Sequence, residues 1–424
     1  MQFSTENRGA RGSMHLITSV AVAAVLSLVP QVSRAAPLGG QVASGSATIS
    51  ASGLVTTVNQ STDRAVIDWQ SFNLGQNETA RFVVPSDQGA TLNRISGGLS
   101  TISGTVESNG TVYFSNPNGL VFDATSRVSA NGFYATTASP SPTDFMNRGE
   151  FSKPNRNAIT LNGAISAPAI TALAGTVTVG GNLAAGSGLI LLSSTTLTTI
   201  GSGAVISADA GLSGVSCLAA DCAAVPAGAT GSGGNIKIWS DSHTDFLGTI
   251  TALGGSNFGD GGLVEVSGKR TLNFSGTVST LAPHGKTGTL LLDPATIEIV
   301  AVVGSDPTVS YITVANLANA LATSNLTIDA GSSDFGGVTH TNGSGTDGRI
   351  TVSSPFSWSG TGNLALIAGA GGIVIKAAIT STNATKARRS LVAGGGIRAE
   401  TAVLTVDTLT ATASSGSILL TGAN

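Results

Sequence analysis

Charge is scarce in this chain. Asp, Glu, Lys and Arg make up only 10% of its 424 residues, too little for disorder of the highly charged kind, and its apolar content suffices for a packed interior. The formal net charge is −3, with no basic stripe, which argues against a nucleic-acid surface. Runs of helical period are almost absent, and abundant glycine with β-branched residues lowers helix propensity. Beyond the first 35 residues no apolar run is long enough to read as a membrane helix.

The first 35 residues are different in kind. Arg8 and Arg11 precede an apolar, uncharged run over residues 16–29, followed by Pro30 and Ser33-Arg34-Ala35. A basic start, a short apolar middle and a small-x-small site predict a secretory signal peptide cut after Ala35. That run is too short to span a bilayer, which needs about 20 helical residues. In an exported chain the close pair Cys217 and Cys222 predicts a disulfide closing a small loop. A zinc site would need further ligands, and no histidine or third cysteine lies nearby.

What the chain does have is many short strand-like runs with turn residues between them. Ala164-Ile165-Ser166, Thr176-Val177-Thr178-Val179, Leu189-Ile190-Leu191-Leu192, Val205-Ile206-Ser207, Leu263-Val264-Glu265-Val266 and Leu290-Leu291-Leu292 are examples. Strands of about five residues with short turns suit a coil of three strands, roughly 21–24 residues around. Stacked coils bury one face of each strand, so each coil depends on its neighbours. The expected fold class is all-β, a right-handed parallel β-helix with small extra-helical β elements; an array of β-sandwiches is the rival reading. Val177 and Val179 are expected to share one face of the interior, as are Leu189 and Leu191. One short helix is expected near 314–322, from the spacing of Val314, Leu317, Ala318 and Leu321 with Thr313 as N-cap.

Asn116-Pro117-Asn118-Gly119 lies between Thr111-Val112-Tyr113-Phe114 and Leu120-Val121-Phe122. This reads as strand, tight turn, strand, with Pro117 presetting φ and Asn118 or Gly119 free to take a positive φ. The residues leading into it include Asn59-Gln60, Asp68-Trp69-Gln70-Ser71-Phe72 and Leu92-Asn93-Arg94-Ile95; those following include Ala130-Asn131-Gly132-Phe133 and Asp144-Phe145-Met146. Over residues 40–165 this run resembles the N-terminal secretion domain of filamentous haemagglutinin-like exoproteins of two-partner secretion. Ser115 and Phe122-Asp123 depart slightly from the usual pattern. A second run, with Trp239-Ser240-Asp241, Phe246-Leu247-Gly248 and Gly288-Thr289-Leu290-Leu291-Leu292-Asp293-Pro294, resembles the segment that follows that domain.

The resemblance implies export from a Gram-negative bacterium via the periplasm, to the surface or the medium. It implies an outer-membrane transporter as partner and an adhesin or filament role, with a host or neighbouring-cell surface as a further partner. It assigns Asn116, Pro117, Asn118 and Gly119 to a secretion motif, although a purely turn-forming role would explain them equally well. The expected division is a signal peptide over 1–35, a secretion domain over 36–290 and further β-rich repeats over 291–424, read as part of a longer exoprotein.

No catalytic or cofactor chemistry emerges. Gly343-Ser344-Gly345-Thr346-Asp347-Gly348 matches a dinucleotide fingerprint, but a strand-like run follows it and not the helix a pyrophosphate needs. Asp241, His243 and Asp245 alternate and would share one face of a strand. That pattern suits a metal less well than a solvated outer face. The expectation is therefore no enzyme, no cofactor and no metal. The alternatives are a β-helix polysaccharide lyase or hydrolase gathering acids from successive coils, or the stalk of a contact-dependent toxin.

Overall fold

The computed structural model describes residues 35–148, 153–211, 225, 227–335, 338–341, 348–383, 388–399 and 401–422. The expected signal peptide, Cys217 and Cys222, and most of the 343–348 glycine string lie outside the described residues. Three strands make each coil. Thr105–Ser108, Thr111–Ser115 and Leu120–Phe122 form one; Arg127–Ser129, Gly132–Thr136 and Ala158–Leu161 form the next. In the following coil a single strand, Ala169–Val179, bends around the corner and supplies two of the three faces.

Successive coils pair in parallel and in register. Val128 sits beside Ile165, Ile165 beside Leu183, Leu183 beside Ile206, Ile206 beside Ile250 and Ile250 beside Val278. All six are buried, and full burial of such a side chain is worth roughly 1.5–3 kcal/mol. One sheet runs to nineteen strands and a second to ten. The architecture is a parallel β-helix, wound right-handed as parallel crossovers are.

The interior changes character along the chain. In the first coils it is aromatic: Phe72 lies edge-on to Trp69 at 5.3 Å and to Phe114 at 5.1 Å, and Phe122 edge-on to Phe133 at 5.2 Å. Further on the aliphatic column above dominates, with aromatic pairs recurring at Phe246 and Phe274, 5.3 Å apart, and at Phe356 and Trp358, 5.9 Å apart. Val177 and Val179 point inward as expected. Leu189 and Leu191 do share a face, but it is the outer one: Leu189 is 44% exposed, while Ile190 and Leu192 are buried. Pairing of Ile190 with Ile170 and of Leu192 with Ala172 fixes that phase.

The two ends of the ten-stranded sheet are finished differently. At its start, Ala47–Ser52 pairs antiparallel with Val55–Gln60, and beside it Gln41–Ser44 pairs antiparallel with Arg64–Trp69. At its end lies helix α2, Val314–Thr323, close to the expected span. Thr313 is its N-cap, accepting from the Asn316 N–H at 3.2 Å. Asn316 and Thr323 of this helix donate to the carbonyls of Phe274 and Val278, at 2.9 and 2.7 Å.

Helix α1, Pro142–Met146, precedes α2 in the chain and was not expected. Five residues are too few to show a period. Ser141 caps it by accepting from the Asp144 N–H, and buried Phe145 packs on the outer faces of Val66 and Leu92. Arg64 clamps its end, donating to the Phe145 carbonyl at 2.9 Å with its guanidinium 3.9 Å from the Phe145 ring. Outside the coils, Ser332–Phe335 and Val338–Thr341 form a small antiparallel hairpin. Residues 35–424 make one compact unit. Among the described residues no helix is long and apolar enough to cross a membrane.

Candidate functional site at the Asn-Pro-Asn-Gly corner

Asn116 to Gly119 form the corner between Thr111–Ser115 and Leu120–Phe122. The Gly119 N–H donates to the Asn116 carbonyl at 3.0 Å, and the Asn118 N–H to the Asn116 side-chain oxygen at 2.9 Å. Pro117 occupies the second place, where its fixed φ suits such a turn. Gly119, not Asn118, takes the positive φ, at +102°. A Cβ at Gly119 would lie 2.9 Å from the Ala158 carbonyl oxygen, so both conformation and space call for glycine.

The corner is tied to the coil before it and the coil after it. Buried Asn116 donates from Nδ2 to the Gly98 carbonyl and to Ser100 Oγ, both at 2.9 Å. Asn118 Nδ2 donates to the Gly97 carbonyl at 2.6 Å. From the following coil, Asn155 and Asn157 donate to the Pro117 carbonyl at 2.7 and 2.6 Å. Gly97 itself is pressed against the coil before, where a Cβ would sit 2.1 Å from the Gln70 carbonyl oxygen. Three coils thus meet through one four-residue turn.

Several residues singled out from the sequence converge nearby. Asp68 and Arg94 pair side by side on adjacent strands, Arg94 Nε and a terminal nitrogen each 2.7 Å from a carboxylate oxygen. Trp69 donates from Nε1 to Asn93 Oδ1 at 2.9 Å, and Asn93 Nδ2 donates to the Tyr113 carbonyl at 3.1 Å. Asp68, Trp69, Arg94 and Pro117 line one groove, closed on the far side by Ser139, Pro140 and Pro142. The other residues lie apart. Phe72 is wholly interior. Gln60 is buried and serves the backbone, donating to the carbonyls of Thr62 and Ala90. Asn59 is exposed, opposite Thr48 and Val83.

The sequence does not mark the partners of the corner. Gly97, Gly98, Ser100, Asn155 and Asn157 carry no signal except local turn composition, since their roles depend on stacking register.

Asp241, His243 and Asp245 do not form one row. The strand begins at His243, and Asp241 lies in the bend before it, accepting from Trp239 Nε1 at 3.0 Å. His243 Nε2 lies 3.1 Å from Asp245 Oδ1, and its Nδ1 lies 2.7 Å from Thr271 Oγ1. Among the described residues no three His, Cys, Asp or Glu side chains are grouped to hold a metal. On the neighbouring strands Lys237 Nζ lies 2.8 Å from Glu265 Oε2. Burial raises the Glu265 carboxyl above its ordinary range, against the opposing pull of Lys237 and Ser267.

Comparison with known proteins bears on the fold and the family. A Heme/hemopexin-binding protein of Haemophilus influenzae is 38% identical over 102 residues, 24% of this chain and 11% of that protein. Another of the same name and organism is 39% identical over 82 residues, 19% of this chain and 9% of that protein. The chain thus matches only about a tenth of the length of these relatives. The crystal structure of the HMW1 secretion domain from Haemophilus influenzae superposes with a TM-score of 0.62 at 17% identity, covering 88% of this chain and all of that one. Residues 33–420 match the TPS secretion domain family, and the chain belongs to it.

Proposed function

We propose that this chain directs export of an exoprotein of two-partner secretion through a partner outer-membrane transporter, and that its β-helical rod serves as an adhesin or surface filament. The observation that carries the first part is the extent of the family match, over residues 33–420. The corner at Asn116 to Gly119 supports a role in assembling the first coils, because it holds three of them together. The rod reading is supported by stacked coils in which three charge pairs bridge adjacent strands. Arg81 lies 2.8 Å from Glu107, Arg94 2.7 Å from Asp68, and Lys237 2.8 Å from Glu265. Heme or hemopexin binding, named in two relatives, is not transferred, because the shared stretch is a quarter of this chain or less.

The test is export of the full chain from cells with and without the cognate transporter. Appearance of the chain outside the cell only when the transporter is present is the expected result. Equal export without it would overturn the reading.

A further inference from the structure

The first strand of the ten-stranded sheet, Ala47–Ser52, has one neighbour only: Val55–Gln60. Its outer edge is uncovered by any strand among the described residues. The other end of the same sheet is covered, since α2 donates to the Val278 carbonyl of its last strand. The adjoining edge strand, Gln41–Ser44, is interrupted by a bulge between Val42 and Ser44. Ala47–Ser52 has no bulge: all six residues pair in unbroken antiparallel register. Nor does it carry the charges or proline by which exposed edges are commonly blunted. No Asp, Glu, Lys or Arg occurs from Ala35 to Thr62.

The hydrogen bonding fixes which groups are open. The Ser61 N–H donates to the Ser46 carbonyl at 2.9 Å. In an antiparallel pair alternate residues bond the partner, so Thr48, Ser50 and Ser52 face Val55–Gln60. Ala47, Ile49 and Ala51 therefore turn their N–H and C=O groups to the open edge.

We propose that this edge pairs with the same edge of a second copy of the chain, antiparallel and about a two-fold axis at Ile49. The segment Ala47-Thr48-Ile49-Ser50-Ala51 reads nearly alike in both directions. Pairing about Ile49 sets Ala47 against Ala51, Thr48 against Ser50 and Ile49 against itself. Every open donor then meets an open acceptor, and two hydroxyl side chains meet on the exposed face. No like charges oppose one another. The contact is small, so the dimer is weak and concentration-dependent.

The test uses the full purified chain in analytical ultracentrifugation, with Thr48→Cys/Ser50→Cys as a cross-linking variant. These positions form a close, non-hydrogen-bonded pair across the axis, within reach of a disulfide. The expected result is a rise toward dimer mass with concentration, and in the double-cysteine variant a covalent dimer absent from the parent. Ala51→Pro removes an outward donor and leaves the bonds to Val55–Gln60 intact, so it abolishes the dimer at an unchanged melting midpoint. Thr48→Lys/Ser50→Lys sets like charges opposite each other and weakens association by about tenfold or more. A parent that stays monomeric at every concentration, with no cross-link, overturns the proposal. So does a dimer that survives both the proline and the lysine variants, or an edge found occupied by a strand of a different protein.

Discussion

Asn118 donates its side-chain amide to the carbonyl oxygen of Gly97, 2.6 Å away and one coil earlier. The bond is solvent-exposed, so water replaces much of it when it is lost. Asn116 is the stronger anchor: it is wholly buried and donates to both Gly98 and Ser100. Asn118→Ala should cost about 0.5–1.5 kcal/mol, and Asn116→Ala more, about 1–3 kcal/mol, because it leaves the buried Ser100 hydroxyl without this partner. Hydrogen exchange in the strands of residues 90–122 reads the difference directly. Equal losses for the two variants would sink this ranking.

Gly119→Val separates folding from recognition. At φ +102° a β-branched residue carries a backbone cost of about 1–2 kcal/mol, and its Cβ also presses on the Ala158 carbonyl oxygen. If the corner acts by shaping the fold, export and stability fall together in Gly119→Val, while Asn118→Ala is exported near the parental level. Secretion assays paired with denaturation curves decide it. A stable Asn118→Ala that fails to leave the cell points to direct recognition instead.

Lys237 and Glu265 make a buried pair on adjacent strands. Lys237→Met strands the carboxylate, with a cost of about 3–5 kcal/mol at neutral pH. The pH dependence has a definite sign. Because burial raises the folded-state carboxyl above its unfolded value, its contribution is complete in acid and is lost as pH rises through the folded value. The defect of Lys237→Met should therefore shrink as pH falls from neutral towards the ordinary glutamate value and be gone by about pH 4.5. Replacing both residues, as Lys237→Met/Glu265→Leu, should recover most of the loss. Unfolding curves across that pH range, flat in the single variant, would refute the account.

The β-helix could be read from residues such as Val177 and Val179 because period-2 alternation is local. So could α2, whose cap Thr313 and spacing lie within ten residues. Which face of Leu189 to Leu192 turns inward was not legible. Both faces are apolar there, and the phase is imposed by Ile170 and Ala172 on the previous coil. The same limit hid the partners of the corner. Asn155 lies far along the chain from Pro117 and meets it only after α1 has been passed. Helix α1 itself owes its stability to Arg64 and Leu92, not to its own five residues.

Arg389 is a poorly satisfied cation in the interior. Its neighbours in register, Leu364 and Leu409, set it on the inward face of Arg388–Ala393, where it is 1% exposed. Its guanidinium lies 5.1 Å from the Trp358 ring, and one nitrogen donates to the Ile379 carbonyl at 3.4 Å. Nε and the other terminal nitrogen have no partner. Burial pushes the guanidinium down to about 9. A cation with a lowered folded-state value contributes stability above its unfolded value and loses it as pH falls through the folded one. The charged form therefore weakens the fold at neutral pH. Arg389→Met keeps the volume and removes the charge, and it should stabilise the chain by about 1–4 kcal/mol near pH 7. The parent should gain stability as pH rises past about 9, and the variant should show no such gain. Chemical unfolding of both proteins from neutral to alkaline pH checks the pair of outcomes. A less stable variant, or a parent indifferent to pH across that range, would mean that Arg389 is satisfied by its surroundings after all.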